Sequence, residues 1–388
     1  MTHRPRTVFV NHSAEPGGGE LALYDLVRAT PDARVILFSE GPFVAMLEAA
    51  RITPRMIDAG SVLDIRRTDG LVSMLGKAPA LAALAVRLAS ALRTADVVYA
   101  NSQKAFIASA LAAPIARRPL IWHLHDILTA SHFSGPVRRV AVGLSNRVAR
   151  AVIANSDATA RAYREAGGRC AVTVVHNGID PQPFDGLDRE GRRGELAETI
   201  GSGDAPILGL FGRLAPWKGQ HVAIEALTLV PRAHLVLVGG ALFGEHEHEA
   251  SLRRQVDVSG LNGRVHFLGF RSDVPALMAG VDVALHCSTA PEPFGRVIAE
   301  AMMAGTPVIA TAAGGALEIV EDGRSGLLVP PDDAAALAAS IRRLLDDGDG
   351  ATRLAEAGAS RARADFTLDA SVARIHEVIA AVARARAD

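Results

Sequence analysis

Two glutamates stand eight residues apart in the stretch PEPFGRVIAE, residues 291–300: Glu292 and Glu300, with Phe294, Gly295 and Arg296 between them. A carboxylate in so apolar a segment is costly to bury unless it is hydrogen-bonded. The vicinal hydroxyls of a ribose would give one carboxylate two donors. Gly295 leaves room for the main chain to approach a phosphate or a sugar. Read singly, each glutamate serves equally well as a helix cap or a solvated side chain.

Other groups invite similar readings. In GRLAPWKGQ, Arg213 and Lys218 lie five residues apart where a helix should begin. Two cations at the positively polarised end of a helix suit a diphosphate, although a pair of surface cations would look alike. Trp217 either shields such a site or packs. The glycines Gly17, Gly18 and Gly19 precede Glu20 and an apolar-periodic helix. They expose backbone N–H groups to a phosphate or sugar, or simply permit a tight turn. WHLHDI places His123 and His125 on one face of a strand, with His125 and Asp126 nearest its end. Contact with a substrate and a structural role both remain open for His125. The turn at Gly269, Phe270 and Arg271 offers backbone groups to a planar base.

These residues acquire a common setting from the elements around them. Short β-branched runs alternate with alanine-rich helical stretches throughout, the pattern of parallel βαβ units. Strands are expected at 7–11, 34–39, 96–100, 120–125, 151–156 and 172–178, then at 207–212, 234–240, 264–269, 282–288, 306–311 and 326–330. Between the two sets, residues 179–206 are rich in Pro, Gly and charge and read as a linker with a loose helix. The expectation is an α/β chain of two doubly wound parallel sheets with a crevice between them. Ligands of such sheets sit beyond the carboxyl ends of the strands, and the candidate residues all follow strands.

Composition sets outer bounds. At 388 residues the chain exceeds one ordinary core, and 49% hydrophobic with 21% charged residues suits a soluble globular protein. Two cysteines, Cys170 and Cys287, make no disulfide framework or zinc motif, so a reducing, cytoplasmic setting is expected. No apolar run is long enough for a signal peptide or a membrane span. Residues 1–185 carry 21 Lys and Arg against 15 Asp and Glu, while the remainder is acidic. Such a basic half suits an anionic acceptor or lipid headgroups, or is ordinary solvated charge. Arg138, Arg139, Arg147 and Arg150 interleave with apolar residues over 136–154. They fit a helix lying on a membrane surface or one packed on a sheet.

Taken together, the segments GGGE, HNGID, GRLAPWKGQ, LGFRSDVPALMAGVDVALH, EPFGRVIAEAMMAGTPVIAT and GGALEIVEDGRSGLLVPPDD resemble, in that order, the retaining GT-B glycosyltransferases of family 4. The resemblance covers nearly the whole chain and is densest over 209–333. It implies two Rossmann-like domains, an acceptor-side domain over 1–182 and a donor-binding domain over 183–369, with the last helix, about 370–388, returning to the first. It implies transfer of a sugar from a nucleoside-diphosphate sugar to a glycan, a glycolipid or a small molecule. Glu300 would hold the ribose, Glu292 would contact the donor sugar, and Phe294 and Gly295 would offer N–H groups. Arg213 and Lys218 would neutralise the leaving diphosphate, with Phe270 and Arg296 also on the donor. Gly18 and Gly19 would close over diphosphate or acceptor, and His125 would touch the donor sugar. No metal or other cofactor and no nucleic-acid partner is expected; the basic half leaves two settings open, free in the cytoplasm or peripheral at the inner face of a membrane. Asp332–Asp333 and Asp346–Asp347 fall in loop and helix contexts unlike a metal-binding DxD. Two other classes compete: a nucleotide-sugar 2-epimerase on the same fold, and a non-catalytic nucleotide-sugar-binding module.

Overall fold

The computed structural model describes residues 4–63, 76–130, 133–241 and 245–385. The chain forms two compact units, one of residues 1–178 with 368–388 and one of 179–367. The three last residues of the C-terminal segment, 386–388, lie outside the described residues.

The first unit is built on seven parallel strands: β1 (Thr7–Asn11), β2 (Arg34–Leu37), β3 (Arg55–Met56), β4 (Val97–Ala100), β5 (Leu120–Leu124), β6 (Ala149–Ala154) and β7 (Val172–Val174). Their order is β3-β2-β1-β4-β5-β6-β7. The strands read as unbroken apolar runs because helices bury both faces of the sheet. Alternate residues supply two separate cores. Val8, Val98, Trp122 and Val152 meet the helices Ala78–Leu92, Gln103–Ala116 and Gly135–Val148 on one face. Phe9, Tyr99, Ile121 and Ile153 meet Gly18–Arg28, Pro42–Ala49 and Leu368–Arg384 on the other.

The second unit repeats the plan with six parallel strands: β8 (Ile207–Phe211), β9 (His234–Val238), β10 (Val265–Gly269), β11 (Val283–His286), β12 (Val308–Thr311) and β13 (Leu327–Val329), ordered β10-β9-β8-β11-β12-β13. In each sheet the chain leaves its first strand in one direction and later returns to that strand's other side. The order therefore reverses between β1 and β4, and again between β8 and β11. Loops diverge at such points and leave room for a ligand. Leu210 pairs with Leu285, so the loops after β8 and β11 leave the second sheet side by side.

Local signals explain the helix limits. Ser102, Ser156 and Asp188 each accept a hydrogen bond from a first-turn N–H. Asp333 and Asp347 do the same for the helices Ala334–Asp346 and Gly348–Asp365, so the second aspartate of each DD pair is a cap. Two expectations need correction. Residues 179–206 are more than a linker: the helix Arg189–Ile200 buries Leu196 and Ala197 in a core of the second unit. Arg189 donates to Thr306 Oγ1 at 2.8 Å from its first turn. The basic segment 136–154 is the helix packed on a sheet, one of its two readings, but only as far as Val148, and β6 begins at Ala149. Its apolar side (Val137, Ala141, Val142) is spent in the first unit's own core, while Arg139, Arg147 and Arg150 stay exposed. Among the described residues no helix is long and apolar enough to cross a membrane.

Candidate functional site

The second unit assembles its chemistry at the β8–β11 reversal. After β8 the chain passes Gly212 and Arg213, makes a single turn at Pro216–Lys218 and enters the helix Gln220–Thr228 through Gly219. Gly219 has φ +70°, and a Cβ there would collide with the Cys287 carbonyl of the loop after β11. Glycine thus lets the two loops touch. The buried Gln220 amide fixes the turn by donating to the Arg213 carbonyl at 2.8 Å, and Thr289 N–H donates to the Trp217 carbonyl at 2.8 Å.

This contact brings Lys218 to Glu292. Lys218 Nζ donates to Glu292 Oε2 at 2.7 Å and stands 4.2 Å from the centre of the Trp217 ring. Ser288 donates its hydroxyl to the same oxygen at 2.9 Å. With that proton committed, His286 Nε2, 3.1 Å from Ser288 Oγ and 3.3 Å from Glu292 Oε2, must be the N–H partner of both. Thr311 Oγ1 lies 3.3 Å from His286 Nδ1. Burial would push the Glu292 carboxyl up, but the Lys218 charge, with the His286 bond and charge, outweighs it and holds the group well below the usual carboxylate range. Gly314 and Gly315, in the loop after β12, pack directly against the Glu292 main chain. Gly315 N–H donates to the Glu292 carbonyl at 2.7 Å, and Gly314, at φ +63°, leaves no space for a Cβ against Glu292.

The other candidates take definite places. Gly295 (φ +103°) caps the helix Arg296–Met303, which carries Glu300 inside it as the spacing predicts. Arg296 Nε lies 3.3 Å from Glu300 Oε1 one turn on. The Phe294 ring belongs to the core, 5.7 Å from Phe366 edge to face. Phe270, just after β10, is 75% exposed, while Arg271 pairs with Asp273. Arg213 Nε stands 3.3 Å from Glu245 Oε2.

In the first unit a polar network occupies the β1–β4 reversal. Gly17 caps the helix Gly18–Arg28, and its N–H bonds Glu20 Oε2 at 3.2 Å. Asn11 donates to Glu20 Oε1 at 3.0 Å. Burial pushes the Glu20 carboxyl up, the bonds from Asn11 and the backbone opposing it. The His125 ring packs over Gly19. Asn101 joins the two: its amide N donates to the Gly19 carbonyl at 3.0 Å, which turns its oxygen toward His125 Nε2, also 3.0 Å away. His125 therefore carries its proton on Nε2. His123, its ring 3.8 Å from that of His125, is a buried core histidine 2.5 Å from the Tyr99 hydroxyl, and burial pulls it well below the ordinary histidine value.

The sequence reading left out Asn11, Glu20, Asn101, Glu245, His286, Ser288, Gly314 and Gly315 as site-builders. Asn101 and His286 carried a usable signal, each a polar residue at the carboxyl end of an apolar strand beside a reversal point. Among the described residues no group of three or more His, Cys, Asp or Glu side chains is placed to hold a metal ion.

Residues 16–183 match the family model described as Glycosyltransferase Family 4, and residues 194–361 that of Glycosyl transferases group 1. The chain belongs to the GT-B glycosyltransferases of group 1, family 4, and its two parallel sheets are those of that fold. The Anabaena protein HepE, solved in complex with UDP and glucose, is 39% identical over 97% of this chain and 99% of its own, with a TM-score of 0.88. HepE in complex with UDP-glucose superposes with the same TM-score. Among curated proteins, the lipopolysaccharide core biosynthesis glycosyltransferase LpsE of Rhizobium meliloti is 31% identical over 56% of this chain. The D-inositol 3-phosphate glycosyltransferase of Nocardioides is 32% identical over 69% of it. The chain spans 61% and 63% of the lengths of these two relatives.

Proposed function

We propose that this chain transfers a glycosyl group, with retention at the anomeric carbon, from a nucleoside-diphosphate sugar to a glycan, a glycolipid or a small-molecule acceptor. The observation that carries this reading is the Lys218–Glu292 pair at the β8–β11 reversal. The whole-length similarity to HepE, solved with UDP-glucose, adds support.

Breaking a glycosyl–phosphate bond builds negative charge on the diphosphate and positive charge on the sugar. Arg213 and Lys218 stabilise the first, and removal of either costs about 2.7–4 kcal/mol of barrier, by analogy with an oxyanion donor. Glu292, whose Oε2 is engaged by three donors, is too well stabilised an anion to be a good nucleophile. It serves instead to position the sugar and offset its developing charge, with attack on the face the phosphate leaves and the phosphate taking the acceptor's proton. Glu300 takes the ribose hydroxyls, Phe270 lies against the base, and Gly295, Phe294 and Arg296 attend the donor. To the first unit the proposal gives the acceptor, with Gly18 and Gly19 at its loop and His125 touching a sugar hydroxyl. The chain's own cations supply the positive charge, so the reading calls for no metal. Cys170 and Cys287, both free, fit a reducing cytoplasm, and the exposed Arg139, Arg147 and Arg150 suit an anionic acceptor or the headgroups of an inner membrane face.

The test is incubation with UDP-glucose, then GDP and ADP sugars, across acceptors of the three classes, with EDTA present. Nucleoside diphosphate release that requires both donor and acceptor, and an NMR spectrum showing retained configuration, is the expected result. An epimer formed from donor alone, or binding without release, would replace this reading by one of its two competitors.

A further inference from the structure

The two cations assigned to the diphosphate are each already neutralised, but not in the same way. Lys218 makes a 2.7 Å hydrogen bond to Glu292, whose acceptor oxygen is also served by Ser288 and His286. Arg213 faces Glu245, which follows β9 and immediately precedes the helix His246–Val258. That contact is looser: Arg213 Nε is 3.3 Å from Glu245 Oε2, and this buried oxygen receives no hydrogen bond from the described residues. Glu245 also does not cap the helix it precedes. Burial pushes its carboxyl up more than Arg213 pulls it down, the reverse of the balance at Glu292.

A carboxylate so placed is held by charge alone and is poorly compensated for leaving water. A diphosphate oxygen offers Arg213 a stronger, better-aligned acceptor. With Glu245 left in place, the diphosphate would meet a site whose two cations and two carboxylates cancel. We propose that Glu245 is a resident counter-anion of the donor site, which neutralises Arg213 in the ligand-free protein, yields Arg213 to the diphosphate of the donor, and returns to it as the nucleoside diphosphate departs. Glu245 thereby sets the affinity of the site for donor and product alike. The inference rests on the donor-site reading given above.

Calorimetric titration of the full chain with UDP, and with GDP and ADP alongside, tests it. Glu245→Gln is expected to bind the preferred diphosphate on the order of tenfold more tightly than wild type. Uridine, which lacks the phosphates, is expected to bind both proteins equally. In an Arg213→Ala background the same substitution should gain nothing. Equal or weaker diphosphate binding by Glu245→Gln overturns the counter-anion role, as does an equal gain for uridine. If wild type binds none of the three diphosphates, the donor-site reading itself fails and the inference goes with it. A melting curve of Glu245→Gln confirms that the folded protein is being titrated.

Discussion

Lys218 and Glu292, 74 positions apart in sequence, share a hydrogen bond of 2.7 Å. Neither loop creates this pair alone. It exists because β8 and β11 are neighbours and because Gly219 lets the two following loops touch.

Removing Lys218 should therefore damage the fold as well as the chemistry. Lys218→Met leaves a buried carboxylate with only Ser288 and His286, and is expected to cost about 3 kcal/mol in urea unfolding of the second unit. Glu292→Gln, which removes the charge needing compensation, should cost less. Equal stabilities for wild type and Lys218→Met would show that the pair carries no folding energy.

The same pair predicts an acid dependence. The folded-state pKa of Glu292 lies below its unfolded value, so its contribution is complete above the ordinary carboxylate pKa of about 4.3 and is lost as pH falls toward the folded value. Between about pH 5 and pH 3 the urea midpoint of wild type should fall more steeply than that of Glu292→Gln. In Lys218→Met, which loses the largest of the influences opposing burial and keeps those of His286, this share of the slope should shrink. Parallel curves for wild type and Glu292→Gln would refute the assignment.

Phe270 offers a contrast, since its ring is 75% exposed and contributes little to any core. Phe270→Ala should leave the melting temperature unchanged. If the ring lies against the nucleobase, UDP affinity should drop by about 1–3 kcal/mol, the range for a base stacked on an aromatic side chain. An unaltered dissociation constant would remove Phe270 from the donor site.

Asn101 controls the proton of His125. Long-range proton–nitrogen NMR of the histidine rings should show His125 protonated on Nε2 in wild type and in Asn101→Asp, which keeps an acceptor oxygen. Asn101→Ala should give a mixture of tautomers. A wild-type ring protonated on Nδ1 would contradict the network.

How much of this was legible in the sequence follows from which forces act locally. All twelve expected strands are present because buried parallel strands leave apolar runs such as ILGLF. The thirteenth, Arg55–Met56, is two residues long at the sheet edge and leaves no run to read. The helix Arg189–Ile200 leaves only a weak trace in the sequence because it buries only Leu196 and Ala197, too few for a periodic signal. The candidate cations and glutamates stood out by type and spacing. Their actual partners did not, since Lys218 with Glu292 and Arg213 with Glu245 depend on strand order, which no local pattern encodes. Asn101 and His286 are hard to recognise for a related reason: a polar strand end acquires meaning only once the neighbouring strand is known.

The closing helix, Leu368–Arg384, has a consequence for how the protein is born. It completes a core of the first unit, where Val372, Ile375, Ile379 and Val382 pack with Phe9, Leu26, Ile121 and Ile153. Thr30 Oγ1 and His376 Nε2, 2.9 Å apart, and the Ser371 bond to the His176 carbonyl fasten it there. The second unit, by contrast, is one uninterrupted stretch of chain. On the ribosome, the first unit must wait for Leu368–Arg384 to emerge, while the second unit, 179–367, holds all its parts before that helix is made. The unit begun before the second is finished only by the helix that follows it.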